Sequence, residues 1–341
     1  MSALSTPINT DYEDLPEWLW ASSSVYAFMR ESSGMKKKSY WGFKFPRPSA
    51  ASLPLDEVKV AGSLNLRLVK DAWKRGDATP WMKQLLEALE TDDTKVETWC
   101  GSTKESQEEV MAMRDPRTHK DYKAQLDDLV QWKVMYVPSE TGEASTFAFF
   151  TVPKSDGETA RTICDCKLLG KLFGDPPKMR LVTPAELFSI MGRFRKPHTV
   201  TLDFRHWFHQ ILLPDKAQRF FTTYCEGLWY RLRVWPMGFA WSPAIAQGIS
   251  MTLAKLAIER AGYQAVSPLA DKSEIPPFWE VRDEQGNVKG YVIAYLDNMM
   301  VMDDINRRDA LRSKLTSVLA DAKVAVKETP GASDGMTNDK T

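Results

Sequence analysis

The sequence predicts an α+β fold, in which a mostly antiparallel sheet carries two helices on one face and follows a helical N-terminal region. Three observations predict it. Apolar residues recur at helical spacing between about residues 56 and 133. From about residue 134, β-rich stretches separated by turn residues take over. Residues 290–302 then read as an apolar strand, the polar pair Asp297-Asn298 and a second apolar strand, which is typical of a tight hairpin.

Length and composition set the outer limits. A chain of 341 residues with 43% hydrophobic content can form one large domain or two ordinary ones around a sizeable core. Lys and Arg together number 45, as do Asp and Glu, so net charge gives no support for nucleic-acid binding. A nucleic-acid surface would therefore have to come from local segregation of charge.

The cysteines, the lengths of the apolar runs and the N-terminus indicate the cellular compartment of the protein. Four cysteines in a chain this long do not form a secreted disulfide framework. Cys164 and Cys166 lack the two-residue gap usual for zinc, which favours packing within a strand. No apolar run reaches about 18 residues, and the N-terminus has no signal-peptide pattern. We expect an intracellular protein, cytoplasmic or nuclear, that is neither secreted nor in a membrane.

The N-terminal third contains one candidate binding segment and no chemistry. Residues 40–47 interleave aromatic and basic side chains, which suits stacking on single-stranded bases but suits a solvated arm equally well. Trp81, Leu85 and Leu89 recur at helical spacing, and further helices are predicted near residues 105–113 and 120–132. We interpret residues 56–133 as a helical packing layer.

The next elements are a hairpin, a helix and a strand. Strand-like residues 146–152 and 161–165 flank a turn, so that Lys154 lies near the hairpin tip and Arg161 on its returning arm. Thr183, with Glu186 three residues later, predicts a capping box at the start of a helix. Residues 199–203 form a strand that ends in the carboxylate of Asp203.

The C-terminal half alternates strands and helices. A hairpin turns around Glu226-Gly227, and a helix runs from an N-cap at Ser242 to about residue 261. A polar loop over 262–277 precedes strands 278–282 and 288–295. After the central hairpin, Asp303 and Asp304 are interpreted as caps of a helix over about 305–322, and residues 325–327 as a short strand.

The central hairpin has two interpretations from its residues alone. Asp-Asn is good turn chemistry, so the pair fits an ordinary surface turn. A carboxylate held between buried strands is costly unless it is paired or binds a metal ion, and this favours a metal site at Asp297.

Four stretches, in this order, resemble the reverse transcriptases of retroviruses and of LTR-type and tyrosine-recombinase-type retrotransposons. They cover residues 150–165, 202–211, 235–244 and 295–298, and the likeness extends from about 124 to 327. The resemblance implies an α+β right-hand polymerase fold. Its predicted parts are an N-terminal extension over 1–123, fingers over 124–200, a palm over 201–327 with an insertion at about 262–285, and a disordered tail over 328–341.

The resemblance also implies an RNA-directed DNA polymerase, a nucleotidyltransferase that uses two Mg²⁺ or Mn²⁺ ions. Asp203 and Asp297 would be catalytic, and the metal ligands would be Asp203, the Phe204 carbonyl, Asp297 and Asn298. The implied nucleotide-binding residues are Lys154 and Arg161 on the triphosphate, Phe208 at the sugar, and Met237 and Gly238 under the nascent base pair. Partners would be an RNA template, a DNA or RNA primer and deoxynucleotides, with no membrane.

The chain departs from this pattern in three ways. Asn298 stands where the family has a second aspartate, which should weaken metal binding because hard-ion affinity depends on ligand charge. The spacing from Pro243 to Tyr295 is unusually long, which is the reason for the predicted insertion. The sequence ends after the last palm-like motif, so a thumb and an RNase H region are expected elsewhere if they exist. The alternative function is a catalytically degenerate module that binds nucleic acid or protein.

Overall fold

A computed structural model describes residues 53–90, 122–139, 146–154, 157–167, 169–194, 197–304 and 310–327. The aromatic and basic segment 40–47, the helix predicted near 105–113 and the tail 328–341 lie outside the described residues. The fold is α+β with antiparallel sheets, which confirms the predicted class.

Three helices form the described part of the N-terminal region: α1 Arg67–Trp73, α2 Pro80–Leu89 and α3 Lys123–Gln131. Helix α2 starts with a proline at its first position, where a missing N–H costs nothing. It buries Trp81, Leu85 and Leu89, the positions that its helical spacing predicts. The predicted packing layer is therefore present in the described residues.

Two small sheets follow. Strands β2 Ala148–Pro153 and β3 Ala160–Asp165 form the hairpin predicted around Lys154. Strands β1 Met135–Tyr136, β6 Leu228–Leu232 and β5 Thr222–Cys225 form a three-stranded sheet in the order β1-β6-β5. Short helical turns lie at Leu169–Lys171, at Trp207–Gln210 (α5) and at Asp215–Gln218 (α6), and the capped helix α4 spans Pro184–Met191.

The largest sheet has five strands in the order β4-β10-β9-β8-β7. These are β4 Pro197–Asp203, β7 Gln264–Val266, β8 Phe278–Arg282, β9 Val288–Tyr295 and β10 Asn298–Asp304. The central hairpin β9–β10 thus pairs on both sides, with β4 and with β8. The prediction of a polar loop over 262–277 is wrong at its start, because residues 264–266 pair with β8 as the edge strand.

Both faces of this sheet are covered. Helices α7 Trp241–Arg260 and α8 Ala310–Asp321 pack in the larger core, together with Val292, Ala294 and Val301 of the hairpin. The alternate residues Tyr291, Ile293 and Met300 belong to a second cluster that contains helix α4. The larger core is continuous from residue 55 to residue 322, so the division into extension, fingers and palm stays a prediction.

Two predicted caps are wrong. Helix α7 begins two residues earlier than predicted, with Ala240 as its N-cap, and Ser242 is buried inside its first turn. Asp303 and Asp304 belong to strand β10 instead of capping a helix. The side chain of Asp303 is buried within 3.4 Å of the guanidinium of Arg312 and 4.0 Å of the His198 ring, and the guanidinium explains how a strand accommodates the charge.

Candidate active site

The sheet register brings the two predicted catalytic aspartates together. Strand β4 runs antiparallel to β10, and Asp203 at its end is the direct partner of Asn298. The next residue continues the connection, since the Phe204 N–H donates to the Asp297 carbonyl at 2.7 Å. Asp203 and Asp297 therefore lie at the same end of adjacent strands, although 94 positions separate them in the sequence.

The turn that contains Asp297 has a strained backbone and is hydrogen-bonded to helix α7. Leu296 has φ of +55°, an unusual value for a side chain branched at Cγ. Helix α7 supports it: the Leu296 N–H donates to Gln247 Oε1 at 2.9 Å, and Ser250 Oγ donates to the Leu296 carbonyl at 3.2 Å. The turn pair is Leu296-Asp297 instead of the expected Asp297-Asn298, and Asn298 is the first residue of β10.

The oxygen atoms at this end of the sheet suit a hard divalent cation. Asp203 Oδ1 is buried and accepts no hydrogen bond within the described part of the chain, a costly arrangement that a metal ion would relieve. Asn298 Nδ2 donates to Asp297 Oδ1 at 3.2 Å and so orients that carboxylate. Within the described residues, no group of three His, Cys, Asp or Glu side chains is placed to hold a metal ion.

A lysine already neutralises one of the carboxylates. Lys327 Nζ lies 2.8 Å from Asp203 Oδ2, and both side chains are partly exposed. The Lys327 N–H also donates to the Asp203 carbonyl at 2.8 Å, while Phe204 forms a bridge with Val326. The short strand predicted over 325–327 is thus present as this bridge, and it carries a cation to the site.

A cavity of about 120 Å³ connects the hairpin tip to the β2–β3 hairpin. Most of the predicted site residues line it: Lys154, Arg161, Phe204, Phe208, Met237 and Asp297. The half-buried ring of Phe208 also packs against the main core, and its role at the sugar stays a prediction. The cavity places cationic side chains and a carboxylate around one space, which is the arrangement that an anionic ligand with a bound cation requires.

Gly238 does not line this cavity. It has φ of +108°, and a Cβ there would lie 2.1 Å from the carbonyl oxygen of Cys164. The two segments are joined directly, since the Cys164 N–H donates to the Met237 carbonyl at 2.8 Å. The glycine is therefore required by close approach to strand β3, and its predicted contact with a base pair stays a prediction. Cys164 is buried, as the strand-packing interpretation predicts.

Two histidines follow Asp203. His206 lines the cavity with backbone φ of +47°, and His209 is buried with its ring stacked on that of His206 at 6.1 Å. Burial lowers the pKa of His209 to about 3, and the charge of His206 acts in the same direction. A neutral His209 at this position belongs to the buried core.

Asp56 reaches the site from the N-terminal region, where the sequence analysis found no chemistry. Its Oδ2 lies 2.6 Å from Lys154 Nζ and 3.5 Å from His206 Nε2. Burial opposes ionisation of Asp56, but the hydrogen bond from Lys154 and the nearby positive charges hold its pKa below the usual value. Burial lowers the pKa of His206, and the charge of Asp56 partly offsets this.

Among the residues that line the cavity, sequence reasoning did not assign to the site the titratable side chains of Asp56, His206, His209 and Lys327. His206 lies three residues after Asp203, so its position within that motif was a usable signal. Asp56 and Lys327 had none, because each reaches the site through a contact with a residue far away in the sequence.

Comparisons with known proteins give only distant likenesses. No protein-family model matches the chain, and no curated protein does. Among solved structures, the chain is similar to a foamy viral protease-reverse transcriptase in complex with double-stranded DNA, with a TM-score of 0.44 and 18% identity. That match covers 80% of this chain and 44% of the viral chain.

A second solved structure is the Prototype Foamy Virus protease-reverse transcriptase, with a TM-score of 0.42 and 18% identity over 63% of this chain and 24% of that one. The chain thus spans less than half the length of either viral protein. Separately, none of the described helices is both long enough and apolar enough to cross a bilayer.

Proposed function

We propose that this chain is a reverse-transcriptase-like domain, the RNA-directed DNA polymerase of a retrotransposon. The observation that carries the proposal is the convergence of Asp203 and Asp297 beside one cavity lined by Lys154 and Arg161. These are the two carboxylates and the two cations that the sequence motifs single out. They come from three separate elements, and chance packing seldom gathers them.

In this function the chain's own residues bind divalent cations, bind the triphosphate and exclude a 2′-hydroxyl. Asp203, Asp297 and the amide oxygen of Asn298 would hold divalent cations, with the Phe204 carbonyl as a further ligand. Such cations would neutralise the reacting phosphates and lower the pKa of the attacking primer hydroxyl. Lys154 and Arg161 bind the triphosphate charge, and the Phe208 ring excludes a 2′-hydroxyl by its bulk. RNA template, primer and deoxynucleotides are the proposed partners.

Two observations favour a second candidate, a catalytically degenerate binding module. Asn298 supplies a neutral oxygen, and its amide group already hydrogen-bonds to Asp297. Both Asp203 and Lys154 are engaged by other side chains of the chain itself. Together these contacts predict weak metal binding, and an enzyme with weak metal binding would be slow or inactive in Mg²⁺.

RNA-templated primer extension in Mg²⁺ and in Mn²⁺ tests the proposal. We expect incorporation by the wild type, its loss in Asp203→Ala, and no change in Asp71→Ala, whose carboxylate lies on an exposed helix face. Asn298→Asp restores a third carboxylate, and a removed charge-bearing ligand typically accounts for tenfold or more in metal affinity, so we expect higher activity at low Mg²⁺. Absent incorporation, or incorporation that survives Asp203→Ala, would favour the binding module.

A further inference from the structure

Residues 53–62 run along the rim of the cavity and are fixed to it by backbone hydrogen bonds. The Ala160 N–H donates to the Pro54 carbonyl at 2.9 Å, and the Asp56 N–H donates to the Ala160 carbonyl at 3.3 Å. At the other end, the Gly62 N–H donates to the His209 carbonyl at 2.8 Å. This segment, which we term the strap, therefore spans from strand β3 to helix α5 across the cavity.

The strap places the carboxylate of Asp56 next to the side chains of a lysine and a histidine. Asp56 Oδ2 contacts Lys154 Nζ at 2.6 Å and faces His206 Nε2 at 3.5 Å, and all three side chains line the cavity. Ala160, which anchors the strap, directly precedes Arg161 on strand β3. Asp56 thus holds the position in which a phosphate oxygen would meet the same lysine.

Asp56 does not act as a third metal ligand in this arrangement. The described residues contain no group of three His, Cys, Asp or Glu placed to hold a metal, so Asp56 does not complete the site of Asp203 and Asp297. Its partners are instead a lysine and a histidine, which are groups that bind anions.

We propose that Asp56 is an intramolecular competitor for the phosphate-binding side of the cavity, so that an incoming polyphosphate binds only by displacing it from Lys154. The strap is then an autoinhibitory contact built into the fold. This role rests on the proposed binding of a triphosphate at Lys154, and it adds the regulation of that step.

Removing the carboxylate should strengthen anion binding. The pair of Asp56 and Lys154 is only partly exposed, with side chains at 39% and 25%, so it competes more strongly than a fully solvated pair. In Asp56→Asn the side chain keeps its shape and loses its charge, and the backbone bonds of the strap remain. We expect inorganic tripolyphosphate to bind about tenfold more tightly to this variant than to the wild type.

Isothermal titration calorimetry with tripolyphosphate in EDTA measures this without metal or catalysis. Glu57→Gln is the matched control: it makes the same change in net charge one residue away, on a side chain that is exposed and paired with Lys59. Asp56→Asn/Lys154→Met should lose the gain. Equal affinity of Asp56→Asn and wild type, or equal tightening in Glu57→Gln, would overturn the competitor role.

The result is separable from that of primer extension. If Asp56→Asn binds tripolyphosphate more tightly while no variant extends a primer, the competitor role stands and the polymerase proposal fails. If the wild type extends a primer and Asp56→Asn leaves both tripolyphosphate affinity and the KM for deoxynucleotides unchanged, the polymerase proposal stands and the competitor role fails.

Discussion

The support of the Asp297 turn by Gln247 gives a prediction that joins the core to the site. Gln247 is fully buried in helix α7 and bridges two backbone groups of the hairpin. Its Nε2 donates to the Ala294 carbonyl at 2.9 Å, and its Oε1 accepts from the Leu296 N–H at 2.9 Å. Gln247→Met fills nearly the same volume and removes both hydrogen bonds.

The size of the stability loss follows from the two backbone groups that lose their hydrogen-bond partner. Each buried backbone group without a partner costs about 1–3 kcal/mol, so two of them cost roughly 2–6 kcal/mol. The apolar methionine recovers a part of this, roughly 1 kcal/mol, through favourable burial. We therefore expect the free energy of unfolding to fall by roughly 1–5 kcal/mol. Because Leu296 is strained and directly precedes Asp297, Mn²⁺ binding should weaken as well.

Urea unfolding followed by tryptophan fluorescence measures the first effect, and titration calorimetry with Mn²⁺ the second. Gln84→Met is the matched control, because its Nε2 bond to the Asp175 carbonyl is exposed, and it should change stability by less than about 0.5 kcal/mol. A loss below about 1 kcal/mol in Gln247→Met, or a loss no larger than that of the control, would refute the reasoning.

Two further predictions concern charge. Lys327→Met removes the cation beside Asp203 and should tighten Mn²⁺ binding about threefold, a modest factor because the pair is partly exposed. Lys314→Met, at an exposed position, is the control and should leave Mn²⁺ affinity unchanged. Unchanged affinity in Lys327→Met would contradict competition between Lys327 and Mn²⁺ for Asp203. Because the pKa of His209 is lowered to about 3 in the folded protein, only the unfolded chain binds its proton between pH 6.5 and about 3. His209 therefore costs stability as pH falls below 6.5, by roughly 1.4 kcal/mol per pH unit, and His209→Gln should remove that part of the pH dependence in urea unfolding at pH 6.5 and 4.5. Identical pH dependence in both proteins would contradict this assignment.

Local signals predicted the parts of the site that lie on regular elements. Asp203 ends a strand and Asp297 interrupts an apolar run, so both positions stand out within a few residues of sequence. Lys154 and Arg161 flank a turn between two apolar strands and were placed correctly on one hairpin. Alternation fixes a register only within one strand pair, and the pairing of β4 with β10 had to come from the resemblance.

The missed residues depend on contacts that leave no local pattern. Asp56 meets Lys154 across 98 positions, and Lys327 meets Asp203 across 124. Strand β7 has three residues and lies at the edge of the sheet. A strand this short does not show a recognisable alternation of apolar and polar residues. Asp303 was interpreted as a cap because an acidic pair before a helix is typical of one, whereas its partner Arg312 lies nine positions further on.

The packing of helix α7 has a consequence for synthesis of the chain. Fifteen of its residues are buried, because the sheet covers one side and the N-terminal helices cover another. Trp73 in α1 donates to Thr252 of α7 at 2.7 Å, across 179 positions. At a translation rate of about 5–20 residues per second, the N-terminal helices leave the ribosome roughly 10–40 s before their partner exists. During that interval Trp73 and Trp81 lack their native cover, so the nascent chain exposes apolar surface that is prone to aggregate.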